Sequence, residues 1–329
     1  MIIVTGGAGF IGSALVWKLN QQGRTDILVV DRMGTGSKWK NLSKRRIAGI
    51  LHKDEFFSWL EGEGASTHIE AVFHLGASSS TTEMDVDYLV RNNLNYSMRL
   101  WNYCVDVGVP FIYASSAATY GDGTHGFDDD PRFIPQLEAL NPYGFSKQKF
   151  DDIVLRHDRQ PPFWAGLKFF NVYGPQEYHK GAQSSVLCQW IPQVQSTGKV
   201  RLFKSYRPGV ADGAQLRDFV YVKDVVDVMW HLFADCGRTA ESGIYNVGSG
   251  KARSFVDMAK AMFQVMPGTS ENIEFVEMPE ALRSQYQYFT EATLKNLREK
   301  AGYIAPFTSL EDGVSDYVSH YLLADDRYL

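Results

Sequence analysis

Tyr143 and Lys147 stand four positions apart in the run Asn141-Pro142-Tyr143-Gly144-Phe145-Ser146-Lys147. On a helix that spacing puts both side chains on one face. A tyrosine so placed can take the proton of an alcohol as a hydride leaves the same carbon. Its phenol, pKa ~10 in water, must first be brought down. An adjacent ammonium and a positively charged nicotinamide ring would both favour the tyrosinate. Upstream, Ser115-Ser116 ends an apolar run, where a serine hydroxyl could hold the substrate oxygen. Alone, Tyr-x-x-x-Lys is a weak signal, since helices often carry such pairs as core edge plus surface charge.

The first residues of the chain supply the partner for that chemistry. Thr5-Gly6-Gly7-Ala8-Gly9-Phe10-Ile11-Gly12 follows an apolar strand and opens a helix. It contains G-x-G-x-x-G as Gly7, Gly9 and Gly12, and G-x-x-G-x-x-G as Gly6, Gly9 and Gly12. Glycine serves a tight turn, close approach to a pyrophosphate, and close packing of helix on strand. Unpaired N–H groups at the helix N-terminus then face the phosphates. Asp31 ends the second strand 19 positions after Gly12, where a ribose hydroxyl would sit. The complete strand–turn–helix–strand–Asp unit points to a nicotinamide dinucleotide. Arg32, Lys38 and Lys53 follow the acid and can pair with an adenosine 2′-phosphate, which favours NADP. Asp31 repels that phosphate and keeps NAD open.

The elements that must position these residues alternate. Ile2–Thr5, Ile27–Asp31, Ala71–His74, Phe111–Ser115 and Ala165–Phe169 read as strands buried on both faces. Phe10–Leu19, Asp87–Val105 and Asn141–Leu155 read as helices between them. Such alternation predicts an α/β fold, a Rossmann-type doubly wound parallel sheet with right-handed crossovers. In the second half Gln183–Gln195, Lys223–Phe233, Ser254–Val265, Glu291–Lys300 and Leu310–Tyr321 read as helices. Arg217–Val222, Gly243–Val247 and Ile273–Val276 read as strands. The looser order predicts a smaller, partly interleaved α+β substrate lobe. Residues 1–171 plus about 217–245 would bind the dinucleotide, and residues 172–216 plus about 246–329 the substrate. Ser205–Gln215 reads as a mobile loop, and the acidic run Asp128–Asp130 as a solvated loop.

Composition narrows the class. Of 329 residues 44% are hydrophobic and 22% charged, with a net charge of −5, which gives no basic field for nucleic acid. No apolar run approaches the ~20 residues of a membrane span. The chain opens on an apolar strand with no basic leader, so it reads as cytoplasmic. Its three cysteines, Cys104, Cys188 and Cys236, read as reduced core thiols, and its eight histidines lack metal-ligand spacing.

With Gly6–Gly12, Ser116 and Tyr143/Lys147 in this order, the chain resembles the extended short-chain dehydrogenase/reductase family of nucleotide-sugar enzymes. Ser116 is followed by Ala117-Ala118, without the Asp-Glu pair of the family's dehydratases. His74–Glu83, Tyr113–Gly121, Phe170–Gly181, Arg217–Val222 and Gln285-Tyr286-Gln287 are similar to the branch that epimerises ADP-glycero-manno-heptose at C6″ for the inner core of lipopolysaccharide. A 4-epimerase or reductase acting on another nucleotide sugar is the alternative, and a non-catalytic dinucleotide sensor a more distant one.

The resemblance implies a tightly held NADP and a second base, Lys180, serving the sugar after its exocyclic C6″ has turned its opposite face; a phosphate-binding or surface role is the alternative for that lysine. It places Gly6, Gly9, Phe10, Ile11, Gly12, Asp31, Arg32, Lys38, Lys53, Leu75, Gly76, Ala77, Ser78, Ser79, Asn92, Lys147, Val172 and Lys180 at the cofactor. It places Ser116, Asn171, Ala182, Gln189, Phe203, Lys204, Ser205, Tyr206, Arg217 and Tyr286 at the substrate, with Arg217 suited to a diphosphate. It also implies a homo-oligomeric ring, such as a pentamer. Leu75, Ser78, Gln189 and Arg32 depart from the branch pattern, which has Glu, Cys, His and Asn there.

Overall fold

The computed structural model describes residues 1–283 and 286–329. Its central sheet, seven-stranded among the described residues, contains β1 (Ile2–Thr5), β2 (Ile27–Asp31), β3 (Gly49–His52), β4 (Ala71–His74), β5 (Phe111–Ser116), β6 (Trp164–Phe169) and β10 (Gly243–Val247). The spatial order is β3-β2-β1-β4-β5-β6-β10, and every neighbouring pair is parallel. This is the doubly wound order, in which the chain reverses direction of winding between β1 and β4 and leaves a crevice at their carboxyl ends. β1, β2 and β4 are buried along their whole length, as strands covered by helices on both faces must be.

The remaining strands lie outside this sheet in two small ones: β7 (Asn171–Tyr173), β8 (Val200–Phe203), β9 (Leu216–Tyr221), β11 (Ala252–Ser254) and β12 (Ile273–Val276). β9 pairs antiparallel with β11 and parallel with β7, and β8 pairs parallel with β12. The five first-half strands expected from sequence form, with β5 and β6 one residue longer. The edge strand β3 and the short strands β7, β8 and β11 were not foreseen. Each has at most four residues, and β3 alternates exposed Ile50 and His52 with half-buried neighbours, too little apolar signal to stand out.

Several expectations need correction. The helix expected over Asp87–Val105 is present as a continuous run from Val86 to Val107, but it widens into a π-helical stretch at Val90–Asn95. The helix expected over Glu291–Lys300 is confined to Lys295–Glu299. Asp129 is fully buried, not solvated: its carboxylate accepts from the Asn246 backbone N–H (2.6 Å) and from Asn296 Nδ2 (2.7 Å). Burial pushes its pKa up to about 6. Ser205–Gln215 lies outside the regular elements, as expected of a loop, and carries internal bonds from Ser205 N–H to Asp212 (2.7 Å) and from Gly213 N–H to Phe203 O (3.2 Å). Cys104 is buried, while Cys188 and Cys236 are half-buried, and all three are free thiols. Among the described residues no helix is long and apolar enough to cross a membrane.

Candidate active site

The glycines of the first turn are required by contact. Gly6 has φ +67°, and a Cβ there would lie 2.7 Å from the backbone N of Gly76 in the turn after β4. A Cβ on Gly12 would lie 2.1 Å from Gly6 O, so the helix Phe10–Gln21 could not sit so close to the turn. Gly9 caps that helix with no side-chain bond of its own, leaving N–H groups open towards the crevice. These observations fit a pyrophosphate at the helix N-terminus. Phe10 is buried at the helix start and Ile11 packs half-buried beside it.

A cleft of about 400 Å³ opens at the carboxyl ends of β1, β2 and β4. Thr5, Gly6, Asp31, Arg32, Lys38, Lys53, Gly76, Ala77, Ser78 and Asn92 line it, as do Met33, Tyr88, Tyr96 and His179, which the sequence reading did not name. Leu75 lies half-buried behind it and packs on the core, its N–H donating to Thr5 O (3.1 Å), while Ser79 is exposed beyond it. Asp31 is buried and fully engaged. It accepts from Ala8 N–H (2.9 Å) in the glycine turn, from Arg32 N–H (2.7 Å) and from the Lys38 ammonium (2.5 Å). Lys53 pairs with Asp54 at 2.8 Å.

Buried polar residues fix the second turn of the cleft. His74 lies between the Thr5 hydroxyl (2.7 Å from Nδ1) and the Ser97 hydroxyl (2.8 Å from Nε2). Ser97 spends its proton on Asn93 O, so it accepts from Nε2–H; Nδ1 then accepts from Thr5, whose oxygen accepts from Gly76 N–H (3.1 Å). Burial drives the His74 pKa down to about 3, with Lys147 adding to the fall, so the ring is neutral. Asn93 accepts from Ser78 N–H (2.8 Å), and its amide donates to Ser78 O (3.0 Å) and to the Ser146 hydroxyl (3.0 Å). It thus ties the cofactor turn to the helix that carries Tyr143. Asn93 escaped the sequence reading because one asparagine inside a helical stripe looks like any other.

That helix, Pro142–Leu155, starts with Pro142 at its first position and with Asn141 Oδ1 accepting from Gly144 N–H (2.8 Å). A Cβ on Gly144 would lie 2.7 Å from Ala118 O, so glycine lets the helix start dock on the turn that follows β5. The docking brings half-buried Tyr143 to Ser116, as the two motifs predicted. Ser116 Oγ also accepts from Ala118 N–H (3.1 Å). Lys147 is buried with its ammonium on Ala114 O (2.9 Å), and burial brings its pKa down to about 8. The expected fall of the phenol pKa is not realised in the protein alone. Burial raises the Tyr143 pKa, the Ser116 hydroxyl lowers it, and the Asp151 carboxylate raises it.

One helical turn beyond Lys147, Asp151 forms a fully buried ion pair with Lys168 of β6 (2.7 Å). Asp151 also accepts from the Tyr113 (3.0 Å) and Ser115 (2.6 Å) hydroxyls, and Lys168 donates to Thr119 Oγ1 (2.7 Å). Thr119 in turn donates to Ser116 O (2.8 Å). The sequence offered one clue to this network, a lysine inside an otherwise apolar strand.

Lys180 is half-buried on the segment Tyr178–Gln183, its ammonium 5.3 Å from the centre of the Phe10 ring. Burial lowers its pKa and the Glu177 carboxylate opposes that fall. Glu177 is buried and anchors the segment, accepting from the Ser185 (2.6 Å) and Tyr317 (2.9 Å) hydroxyls. Val172 packs half-buried on the core, while Asn171 at the start of β7 is exposed.

Arg217 on β9 is buried yet meets no carboxylate within ion-pair distance among the described residues. Its guanidinium lies 4.9 Å from the Tyr286 ring and 5.8 Å from that of Phe255, and donates to Leu216 O (2.8 Å). A buried cation left without an anion is costly unless an anion arrives. The other substrate-side candidates are less convergent. Ala182 and Gln189 are exposed, and the Gln189 amide donates to Ala182 O (3.3 Å) and Ser184 O (2.8 Å). Lys204 pairs with Glu277 (2.7 Å), and Tyr206 bonds Glu277 and lies 3.7 Å under Arg283. Among the described residues Phe203, Lys204, Ser205 and Tyr206 hydrogen-bond within 203–215 and with 276–288. Gln285 lies outside the described residues. No group of three or more His, Cys, Asp or Glu among them could hold a metal ion.

A doubly wound sheet with a glycine-lined dinucleotide cleft beside a Ser–Tyr–Lys group defines a nicotinamide-dependent enzyme. Residues 2–248 match the NAD dependent epimerase/dehydratase family, and the chain belongs to it. Over the full length of both chains it is 50% identical to the ADP-L-glycero-D-manno-heptose-6-epimerase of Fusobacterium nucleatum. The crystal structure of the Helicobacter pylori ADP-L-glycero-D-manno-heptose-6-epimerase superposes with a TM-score of 0.79 at 26% identity, over 97% of this chain and 95% of that one. MoeE5 in complex with UDP-glucose and NAD superposes with a TM-score of 0.70 at 25% identity, over 96% and 97%.

Proposed function

We infer that this enzyme interconverts ADP-D-glycero- and ADP-L-glycero-D-manno-heptose, inverting C6″ in the supply of lipopolysaccharide heptose. The observation that carries the general reading is Tyr143 brought to Ser116 beside the dinucleotide cleft, with Lys147 one turn along the helix. Full-length identity with an enzyme of that name supports the particular substrate. The dinucleotide, held along the glycine turn and by Lys147, supplies a hydride acceptor that is regenerated within each cycle. Ser116 orients the C6″ oxygen and Tyr143 takes its proton. Lys180 serves as proton donor or acceptor for the opposite epimer, and burial shifts its pKa downward, the direction that favours such exchange. Arg217, clasped by two aromatic rings, takes the diphosphate.

NADP is the preferred dinucleotide. Lys38 already neutralises Asp31, which leaves Arg32 for a 2′-phosphate at the end of the cleft where Lys53, paired with Asp54, also lies. A homo-oligomeric ring accompanies this reading and would be read by sedimentation velocity. Purified protein supplied with either ADP-heptose epimer should reach a mixture of both with no added reductant. Stoichiometric consumption of NADPH would replace the epimerase with a reductase, and equal activity on UDP- or GDP-hexoses would replace the substrate.

A further inference from the structure

Three segments remote in sequence meet beside the glycine turn. Asn41 is buried, and its Nδ2 donates to Ala8 O (3.0 Å) and Gln176 O (3.0 Å) and lies 3.1 Å from His179 Nδ1. The Gln176 amide returns a bond to Asn41 O (3.0 Å). Gln176 is held at a cost. It is fully buried with φ +85°, one of two non-glycine residues at positive φ among the described residues. Its Oε1 is buried without a hydrogen-bond partner among them.

The contacts form a closed circuit. Ala8 N–H bonds Asp31, Asp31 pairs with Lys38, and Lys38 leads along the chain to Asn41. Asn41 bonds Gln176, and four residues further on the circuit returns through Lys180 to the ring of Phe10. Asp31, Lys38 and His179 all line the dinucleotide cleft, so the circuit borders it beside the glycine turn.

We propose that Asn41 is a positioning residue that fastens the Gln176–Lys180 segment to the glycine turn, and that this fastening keeps the dinucleotide bound between turnovers. A dinucleotide that is regenerated in every cycle has no need to leave. A hydrogen-bonded strap that must open before release slows dissociation, while adding little to the chemical step. The proposal rests on the dinucleotide part of the function above and not on the identity of the sugar.

The test reads retention directly. Gel-filtered protein is assayed for bound dinucleotide after denaturation, and release is followed as loss of fluorescence when bound NADPH is chased with excess NADP+ (NADH and NAD+ if the wild type retains those). Asn41→Leu should release about tenfold faster or more, the scale of one to two lost hydrogen bonds. Its KM for added NADP+ should rise by more than kcat falls. Gln176→Gly accepts the positive φ without strain and severs only the side-chain bond, so it should fold and release about threefold faster. Wild-type release rates in both variants overturn the proposal. So does a wild type that binds NADPH but sheds it on gel filtration. A wild type that binds neither NADPH nor NADH overturns the cofactor reading itself, and the strap with it.

Discussion

Replacing Lys168 by methionine should unsettle the protein more than any surface change of charge. Lys168 and Asp151 are both fully buried, 2.7 Å apart, so neither has water as an alternative partner. Breaking a buried pair from one side costs about 3–5 kcal/mol, because the surviving charge remains desolvated. In Lys168→Met the Asp151 carboxylate keeps the Tyr113 and Ser115 hydroxyls, at 3.0 and 2.6 Å. The loss should therefore fall near the lower end, about 3 kcal/mol. In Asp151→Asn the ammonium keeps Thr119 at 2.7 Å, and the loss should approach about 5 kcal/mol. The double variant Lys168→Met/Asp151→Leu buries no charge. It leaves three hydroxyls short of a partner and should cost only about 2 kcal/mol.

Urea denaturation of the four proteins closes the cycle. The singles should sum to far more than the double. Single losses below about 1 kcal/mol, or losses that simply add in the double, would refute the view that this is a charge pair held together by desolvation. The network also reaches the chemistry, since Thr119 supports Ser116 through its carbonyl. Lys168→Met should accordingly lower kcat while bound dinucleotide stays at the wild-type level.

Other outcomes follow from single residues. Tyr143→Phe should lose about a thousandfold in kcat or more, with the cofactor retained, since it removes the proton acceptor but no cofactor contact; wild-type turnover would remove Tyr143 from the mechanism. Arg217→Met should raise KM by about tenfold or more with a smaller change in kcat, because it removes the buried charge proposed to take the diphosphate. Stability should fall with acidity through His74. Its folded pKa of about 3 lies below the unfolded value near 6.5, so in that window the unfolded chain binds the extra proton. At pH 5 the loss is about 2 kcal/mol relative to pH 7.5, and His74→Gln should flatten the difference in urea denaturation between those two pH values. Lys180→Met should cut epimerisation severely with dinucleotide still bound; near-normal turnover would return Lys180 to a phosphate-binding role.

The parts of this site that were legible in the sequence are those whose chemistry forces both residue type and spacing. Gly6 and Gly12 must lack a Cβ because Gly76 N and Gly6 O occupy that space, and Tyr143 and Lys147 must be one turn apart to share a face. Such constraints are local, so a pattern carries them. What was not legible is the apparatus that joins segments far apart: Asn41 to Gln176, Asn93 to Ser146, Asp129 to Asn246. Asparagine and aspartate are common on any surface, and only the tertiary fold decides which one is buried with all its bonds made. Asp129 illustrates the error this produces, because an acidic triplet reads as solvated until a strand and a helix are found to donate to its middle member. The same limit explains why the phenol was expected to be acidified. The i,i+4 spacing showed a nearby ammonium, but not that burial lowers the pKa of that ammonium to about 8 while raising that of the phenol. A short-range motif thus identifies the candidate reacting groups, whereas their protonation is shifted first by the burial that the tertiary fold imposes, with the Asp151 carboxylate a lesser contributor.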